Sequence, residues 1–446
     1  MTTYRVSNQT QLDAAISKVK GGDSVLLLSG NYTSLSLVNK AFTSAVTFVS
    51  ESAADPAKIA FAKAYNSSNV VFKNLSIGRA LNPAVDKEWT NIAQVEYSTN
   101  VTFDGVKFSS TGADTSFLGR GLFVRGGTNV TVKNSDFSHL AVGMTTTSMS
   151  GLNILSSKFH DIRIDGVELT AVTGGKIDAN DFRDFRSSPT AHPDAIQVWT
   201  SGTNKPTTDL LISNNVILPG TGGGGQGIFI QDEVGTAPHE RITIRNNLVL
   251  DAGNYYNGIT VRGGKDIVVE GNTSISPTTD TKNFWIRLDN VQGAVVKNNL
   301  ADQLVQNNNT NINQSGNIFL NLQKSFATKI SGINSGSLAT VSSLIVPGVG
   351  YQTPSTTSTQ TSLSSSSTLL AAAPTTTMVT ALAAPTLAET LTPIATAPVA
   401  TSSFSSPSLA KPMPAAPLTL NIAAPASPSE LMAAARNRRF SFSLER

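Results

Sequence analysis

The segment AHPDAIQVWT (191–200) holds the densest chemistry in the chain. His192 and Asp194 stand just before a short alternating stretch whose polar-side residues are Gln197 and Trp199. Imidazole titrates nearest neutrality, so His192 can take or give a proton at physiological pH. Upstream, FHDIRIDGVEL supplies His160, Asp161, Arg163, Asp165 and Glu168; downstream, GQGIFIQDE supplies Gln226, Phe229, Gln231, Asp232 and Glu233. DGVEL aligns with DAIQV, which stacks Asp165 near Asp194 if both are strands in register.

Two chemistries suit such a patch. β-Elimination of a uronic acid needs the substrate carboxylate neutralised, by Arg or by a carboxylate-held Ca2+, and a base for the C5 proton. Arg262 or Arg287 would be the clamp and His192 the base. Hydrolysis needs two carboxyl groups flanking the bond, and Asp165, Glu168, Asp194 and Asp232 are candidates. Plainer roles compete: Asp194 can cap a turn, and His192 can bond a loop backbone. The expected catalytic set is His192, Asp194, Asp165 and Arg262. The expected substrate-binding set is Arg125, Glu168, Gln197, Trp199, Phe229, Gln231, Asp232, Trp285 and Arg287.

Strands would have to position these groups. Alternate side chains of a strand leave opposite faces. In GLFV, DGVELT, DAIQVW, GIFIQ, NGITVR and NFWIRL the inward set is apolar throughout: Leu122, Val124, Val167, Leu169, Ile196, Val198, Ile228, Ile230, Ile259, Val261, Phe284 and Ile286. The outward set combines rings, amides, carboxylates and guanidinium groups from Phe123 and Arg125 to Trp285 and Arg287. Arg forks bind carboxylates bidentately and aromatic faces present a flat apolar surface, so a linear row of both suits a linear acidic polymer. The expectation is an exposed groove.

These segments belong to a repeat. NVVFKN, NVTFDG, NVTVKN, GLNILS, GKIDAN, DLLISN, RITIRN, DIVVEGN and GAVVKN recur at intervals of about 22 to 35 residues, and Asn74, Asn134, Asn180, Asn214, Asn246 and Asn298 hold the sixth place. A second strand follows most of these turns. Three short strands per repeat specify a parallel β-helix: one rung cannot bury its apolar face alone, and stacked rungs can, with Asn side chains bonding rung to rung in the turns. An antiparallel sandwich would show hairpin spacing of about 8–12 residues instead.

The expected architecture is all-β, a single-stranded right-handed parallel β-helix over 36–350. Residues 1–35 form its cap and first rung, with an amphipathic helix over Gln11–Lys20 (Leu12, Ala15, Ile16 and Val19 inward) capped by Thr10 or Asn8. Residues 351–430, rich in Ser, Thr, Ala and Pro, read as a disordered linker, and 431–446 as a short basic tail. Charged residues are only 14% of the chain and the net charge is +3, too small to point to nucleic acid. There is no cysteine, hence neither disulfide nor Cys metal site. No apolar run spans a membrane. No signal peptide is visible, so leaderless secretion or a phage virion is expected. GTGGGGQG (220–227) lacks the following Lys-Ser or Lys-Thr of a phosphate loop.

The rung pattern over roughly 1–325 resembles the pectate-lyase-like right-handed parallel β-helix superfamily. VSNQTQLDAAISKVKGGDSVLLLSGNYTS (6–34) resembles the N-terminal cap of lyases acting on alginate and chondroitin-type polymers, and HPDAIQ with QGIFIQ resembles bacterial β-helix proteins. The resemblance implies a polysaccharide partner and one of several activities: lyase, C5-epimerase, hydrolase, or a non-catalytic adhesin or tailspike, the last as a homotrimer. It carries no catalytic residues over, because no complete lyase motif stands in the middle rungs.

Overall fold

The computed structural model describes residues 1–110, 117–187, 192–222, 224–250, 257–276, 284–320 and 345–354. Apart from one helix, Gln9–Lys18, their regular structure is β-strand, and the long-range pairings between rungs are parallel. The strands stack in three sheets that wind as a β-helix. The first, here the groove sheet, stacks Leu35–Val38, Ala62–Tyr65, Asn91–Glu96, Arg120–Arg125, 142–147, 165–170, Asp194–Trp199, Gln226–Gln231, 257–262, 285–289 and Leu304–Asn307. The back sheet runs from Thr3–Val6 to Thr310–Ser315. The third runs from Asn31–Tyr32 to Ile318–Phe319.

The expected inward residues are buried, and they pack in one continuous core. Inside the third sheet Phe108, Phe137, Phe159 and Phe182 stack with centroids 4.4–4.7 Å apart, close to the rung spacing. Glycine in the groove sheet makes room for these rings. A Cβ on Gly143 would lie 2.7 Å from Phe159, and one on Gly166 would lie 2.8 Å from Phe182.

The turn asparagines separate into two ladders. Asn74, Asn134, Asn214, Asn246 and Asn298 adopt left-handed φ of 51–55° on the outer corner, a conformation Asn tolerates better than most residues. Asn180 belongs instead to a dry interior ladder. There each backbone N–H donates to the side chain of the next rung: Val106 to Ser135, Ser135 to Ser157, Ser157 to Asn180, and on through Asn215, Asn247, Asn272, Asn299 and Asn317 at 2.9–3.2 Å. Each link satisfies a corner amide that no sheet partner reaches.

The cap helix forms two residues earlier than expected, at Gln9–Lys18. Asn8 is the N-cap, its Oδ1 accepting from the Gln11 amide, and Leu12, Ala15, Ile16 and Val19 are buried over the open end. At the far end the body continues slightly past the expected linker boundary at 351. Tyr351 packs with Leu248, Leu250, Ile275 and Leu300 outside the third sheet, and the Gln352 backbone pairs with the Asn246 side chain. The rest of the expected linker and basic tail, 355–446, lies outside the described residues.

Candidate functional site

Strand register arranges the groove-sheet residues in three columns, the middle and trailing ones outward by alternation and the leading one at the start of the strands. The leading column runs Asn91, Arg120, Val142, Asp165, Asp194, Gln226, Asn257 and Trp285. The middle column runs Lys63, Gln94, Phe123, Thr145, Glu168, Gln197, Phe229, Thr260 and Arg287. The trailing column runs Tyr65, Glu96, Arg125, Thr147, Thr170, Trp199, Gln231, Arg262 and Asp289. A bulge between Asn257 and Ile259 adds a residue to that rung, so Trp285 stands against Asn257 and Arg287 against Thr260.

Asp165 and Asp194 meet as the alignment predicts: the Asp194 amide donates to Asp165 Oδ1 at 2.9 Å. Glu168 lies in the next column and accepts from Thr145 Oγ1 at 2.6 Å. The expectation of a wholly exposed groove does not hold at its centre. Asp165, Glu168, Asp194 and Gln197 are at most 3% exposed, and Trp199 is buried as well. Asp165 and Asp194 share the parity of the inward Val167 and Ile196; for Glu168, Gln197 and Trp199 alternation decides the face a side chain leaves from, not what lies over it. His192 and Arg262 are exposed, while Arg125, Phe229, Gln231, Asp232, Trp285 and Arg287 are half-buried.

The two ends of the stripe are open and built from rings and cations. At the N-terminal end Arg125 pairs with Glu96, and its guanidinium lies 5.5 Å from the Tyr97 ring and 5.9 Å from Phe123. Lys63 sits 5.0 Å from Tyr65, and Tyr65 meets Tyr97 edge to face at 5.8 Å. At the C-terminal end Asp289 joins two cations, with Arg287 Nε at 2.6 Å and Arg262 Nε at 3.3 Å, and Asn307 donates to its other oxygen. Asn257 Oδ1 accepts from Trp285 Nε1 at 2.8 Å and its Nδ2 donates to Gln226. Arg287 lies 5.7 Å from the Trp285 ring.

Asp232 has a different employment. Its carboxylate accepts from Thr200 Oγ1 and from the amides of Gly235 and Ala237 at 2.9–3.0 Å, which fixes the turn after Gln231. His160 and Asp161 also lie off the stripe. His160 bridges Asp136 and Asp161, and Arg186 pairs with Asp161. The hydrogen bond to Asp136 leads in raising the His160 pKa to about 9, against the opposing effect of burial. That imidazole is therefore charged at neutrality and is a structural cation. Among the described residues no group of three His, Asp or Glu side chains is placed to hold a metal ion. No helix among them is long and apolar enough to cross a membrane.

Sequence reasoning missed Lys63, Tyr65, Glu96, Tyr97, Asn257 and Asp289. The strands AKAY and NIAQVE carry the same alternation, but two small alanines make AKAY a weak signal. Asp289 falls one residue beyond the segment taken as a strand.

Residues 61–274 match the family model described as a right handed beta helix region. That stretch is a right-handed β-helix. No curated protein matches the sequence. Among solved structures, PfbA, a surface adhesin of Streptococcus pneumoniae, is similar at 15% identity and a TM-score of 0.48, over 70% of this chain and 85% of that one. The Dettilon tailspike protein is similar at 14% identity and a TM-score of 0.48, over 70% and 61%. An alginate lyase from Paenibacillus sp. str. FPU-7 is similar at 13% identity and a TM-score of 0.42, over 71% and 99%.

Proposed function

We propose that the outer face of the groove sheet binds an acidic polysaccharide and that the protein is a polysaccharide lyase cleaving it by β-elimination. The observation that carries this reading is the stripe itself. An Asp165–Asp194 contact on adjacent rungs lies between two ends built of rings and guanidinium groups, Phe123 with Arg125 and Trp285 with Arg287. In this reading His192 removes the C5 proton of the uronate at the leading end of the strands, and Arg262, two rungs on at the trailing end, holds the carboxylate of another uronate of the polymer. The C4–O bond then breaks, leaving a C4–C5 double bond on one product, while the departing oxygen takes a proton from water and becomes the hydroxyl at the new reducing end of the other. Asp165 and Asp194 favour the imidazolium that forms. Arg125, Phe229, Gln231, Trp285 and Arg287 line the path of the polymer, and the buried Glu168, Gln197 and Trp199 reach it only if that part of the face is uncovered. Such a partner places the working protein outside a cell or on a virion.

The test is a panel of uronate polymers. New ultraviolet absorbance from an unsaturated uronate supports the lyase. New reducing ends without that absorbance would instead indicate hydrolysis by paired carboxylates.

The burial of Asp165, Glu168 and Asp194 favours a second reading: a non-catalytic binder of the same polymer, as an adhesin or a tailspike. Binding without any product would select it, and a trimer on sizing would favour the tailspike.

A further inference from the structure

We infer that the corner between the groove sheet and the back sheet is a second glycan site, taking a sugar unit that carries an anionic group. This deepens the polysaccharide reading and rests on it. Tyr97 ends its rung at a left-handed corner, φ 50°, and its side chain is directed outward, 51% exposed. An exposed tyrosine would ordinarily be free to swing; this one is fixed on three sides. Tyr65 meets it edge to face, the Arg125 guanidinium lies 5.5 Å from its centroid, and it rests on Gly126 of the next rung. A Cβ on Gly126 would fall 2.8 Å from the ring, so the glycine is what lets the ring lie down. The result is a preorganised aromatic shelf, the type of surface on which the apolar face of a sugar packs.

The shelf continues into a trough. Gly127 begins a depression of about 310 Å3 whose lining includes Ser148, Ser150 and Thr173 from the next two rungs and ends on Lys205. Ser148 and Thr173 are exposed, so their hydroxyls can donate to and accept from sugar hydroxyls. Lys205 is exposed as well, and its ammonium group forms no ion pair among the described residues. Tyr97, Gly126, Ser148 and Ala171 stand on consecutive rungs, so shelf and trough extend roughly 14 Å at about 4.8 Å per rung. A ring face at one end, hydroxyls between and a lysine ammonium at the other suit a short stretch of glycan bearing a carboxylate or a sulfate.

Titration calorimetry on the full chain tests this with oligogalacturonate, sulfated dextran and unmodified dextran. The parent is expected to bind one or both anionic polymers more tightly than the neutral one, and the preferred polymer identifies the anionic group. Tyr97→Ala and Lys205→Glu should each weaken that binding by about fivefold or more, and Lys205→Arg should keep it. If the polymer is cleaved, both variants should raise KM with kcat unchanged, because neither residue touches the reacting atoms. Parent binding that survives in both Tyr97→Ala and Lys205→Glu, with circular dichroism unchanged, overturns the corner site and leaves the groove reading standing. A parent that binds none of these polymers, nor any in the wider uronate panel, overturns the polysaccharide reading itself.

Discussion

Replacing Asn247 with Ala removes one step of the interior ladder. Its Oδ1 accepts from the Asn215 amide at 3.0 Å and from Asn215 Nδ2 at 2.9 Å, and its Nδ2 donates to the Ile212 carbonyl at 3.0 Å. All three asparagine side chains in this part of the ladder are fully buried. In the variant, the Asn215 amide and one Asn215 Nδ2 hydrogen lose their acceptor where water cannot replace it. Asn272 Oδ1 is spared, because it still accepts from the backbone of residue 247. Two orphaned donors at about 1–3 kcal/mol each give a loss of about 4 kcal/mol. The comparison is Asn214→Ala on the outer, wetter ladder, where the cost is the left-handed backbone, about 1 kcal/mol. Urea unfolding of both variants measures the difference, with amide exchange showing whether lost protection centres on the Asn215 amide. An Asn247→Ala protein within 1 kcal/mol of the parent would refute the claim that the ladder satisfies otherwise orphaned amides.

Gly166→Ala should cost about 1–3 kcal/mol in thermal unfolding, since its Cβ would lie 2.6 Å from the Ala195 carbonyl and 2.8 Å from the Phe182 ring. Because residue 166 follows Asp165, polymer turnover should fall with it. Burial raises the Asp302 pKa to about 6, although the Ser276 and Phe284 amides donate to it. The folded state therefore holds its proton longer than the unfolded state, and stability declines as pH rises from about 4 to 6, by about 3 kcal/mol. Asp302→Asn keeps an acceptor and should abolish that slope; an unchanged slope would remove Asp302 as its cause. His160, raised to about 9, has the same sign in another window. Its contribution is complete below about 6.5 and is lost as pH rises through 9, about 1–2 kcal/mol after solvent screening, and His160→Gln should lack this loss.

The rung architecture was legible because period-two alternation and corner asparagines are local signals repeated many times. Asn-Asn pairs such as 214–215 and 246–247 carry both ladders, and only the first member of each stood in the recognised place. The rung at 142–147 was missed because MTTTS reads as a polar loop; Thr146 in fact faces inward and is fully buried. The middle and trailing columns of the stripe could be read from alternation, and the Asp165–Asp194 contact from aligning DGVEL with DAIQV. The burial of the stripe's centre could not, because alternation carries no information on the exposure of a face. Nor could the committed state of Asp232, whose three donors come from a turn and a neighbouring rung.

The central claim is that this stripe holds and cuts an acidic polysaccharide. The most direct measurement compares the parent with Asp194→Asn and His192→Ala on the uronate polymer that the parent binds, following unsaturated product by ultraviolet absorbance and binding by calorimetry. Asp194→Asn keeps the backbone amide that donates to Asp165, so the fold at that corner should survive. The account predicts unsaturated product from the parent, none from either variant, and binding retained in both. Equal turnover in all three proteins would contradict it.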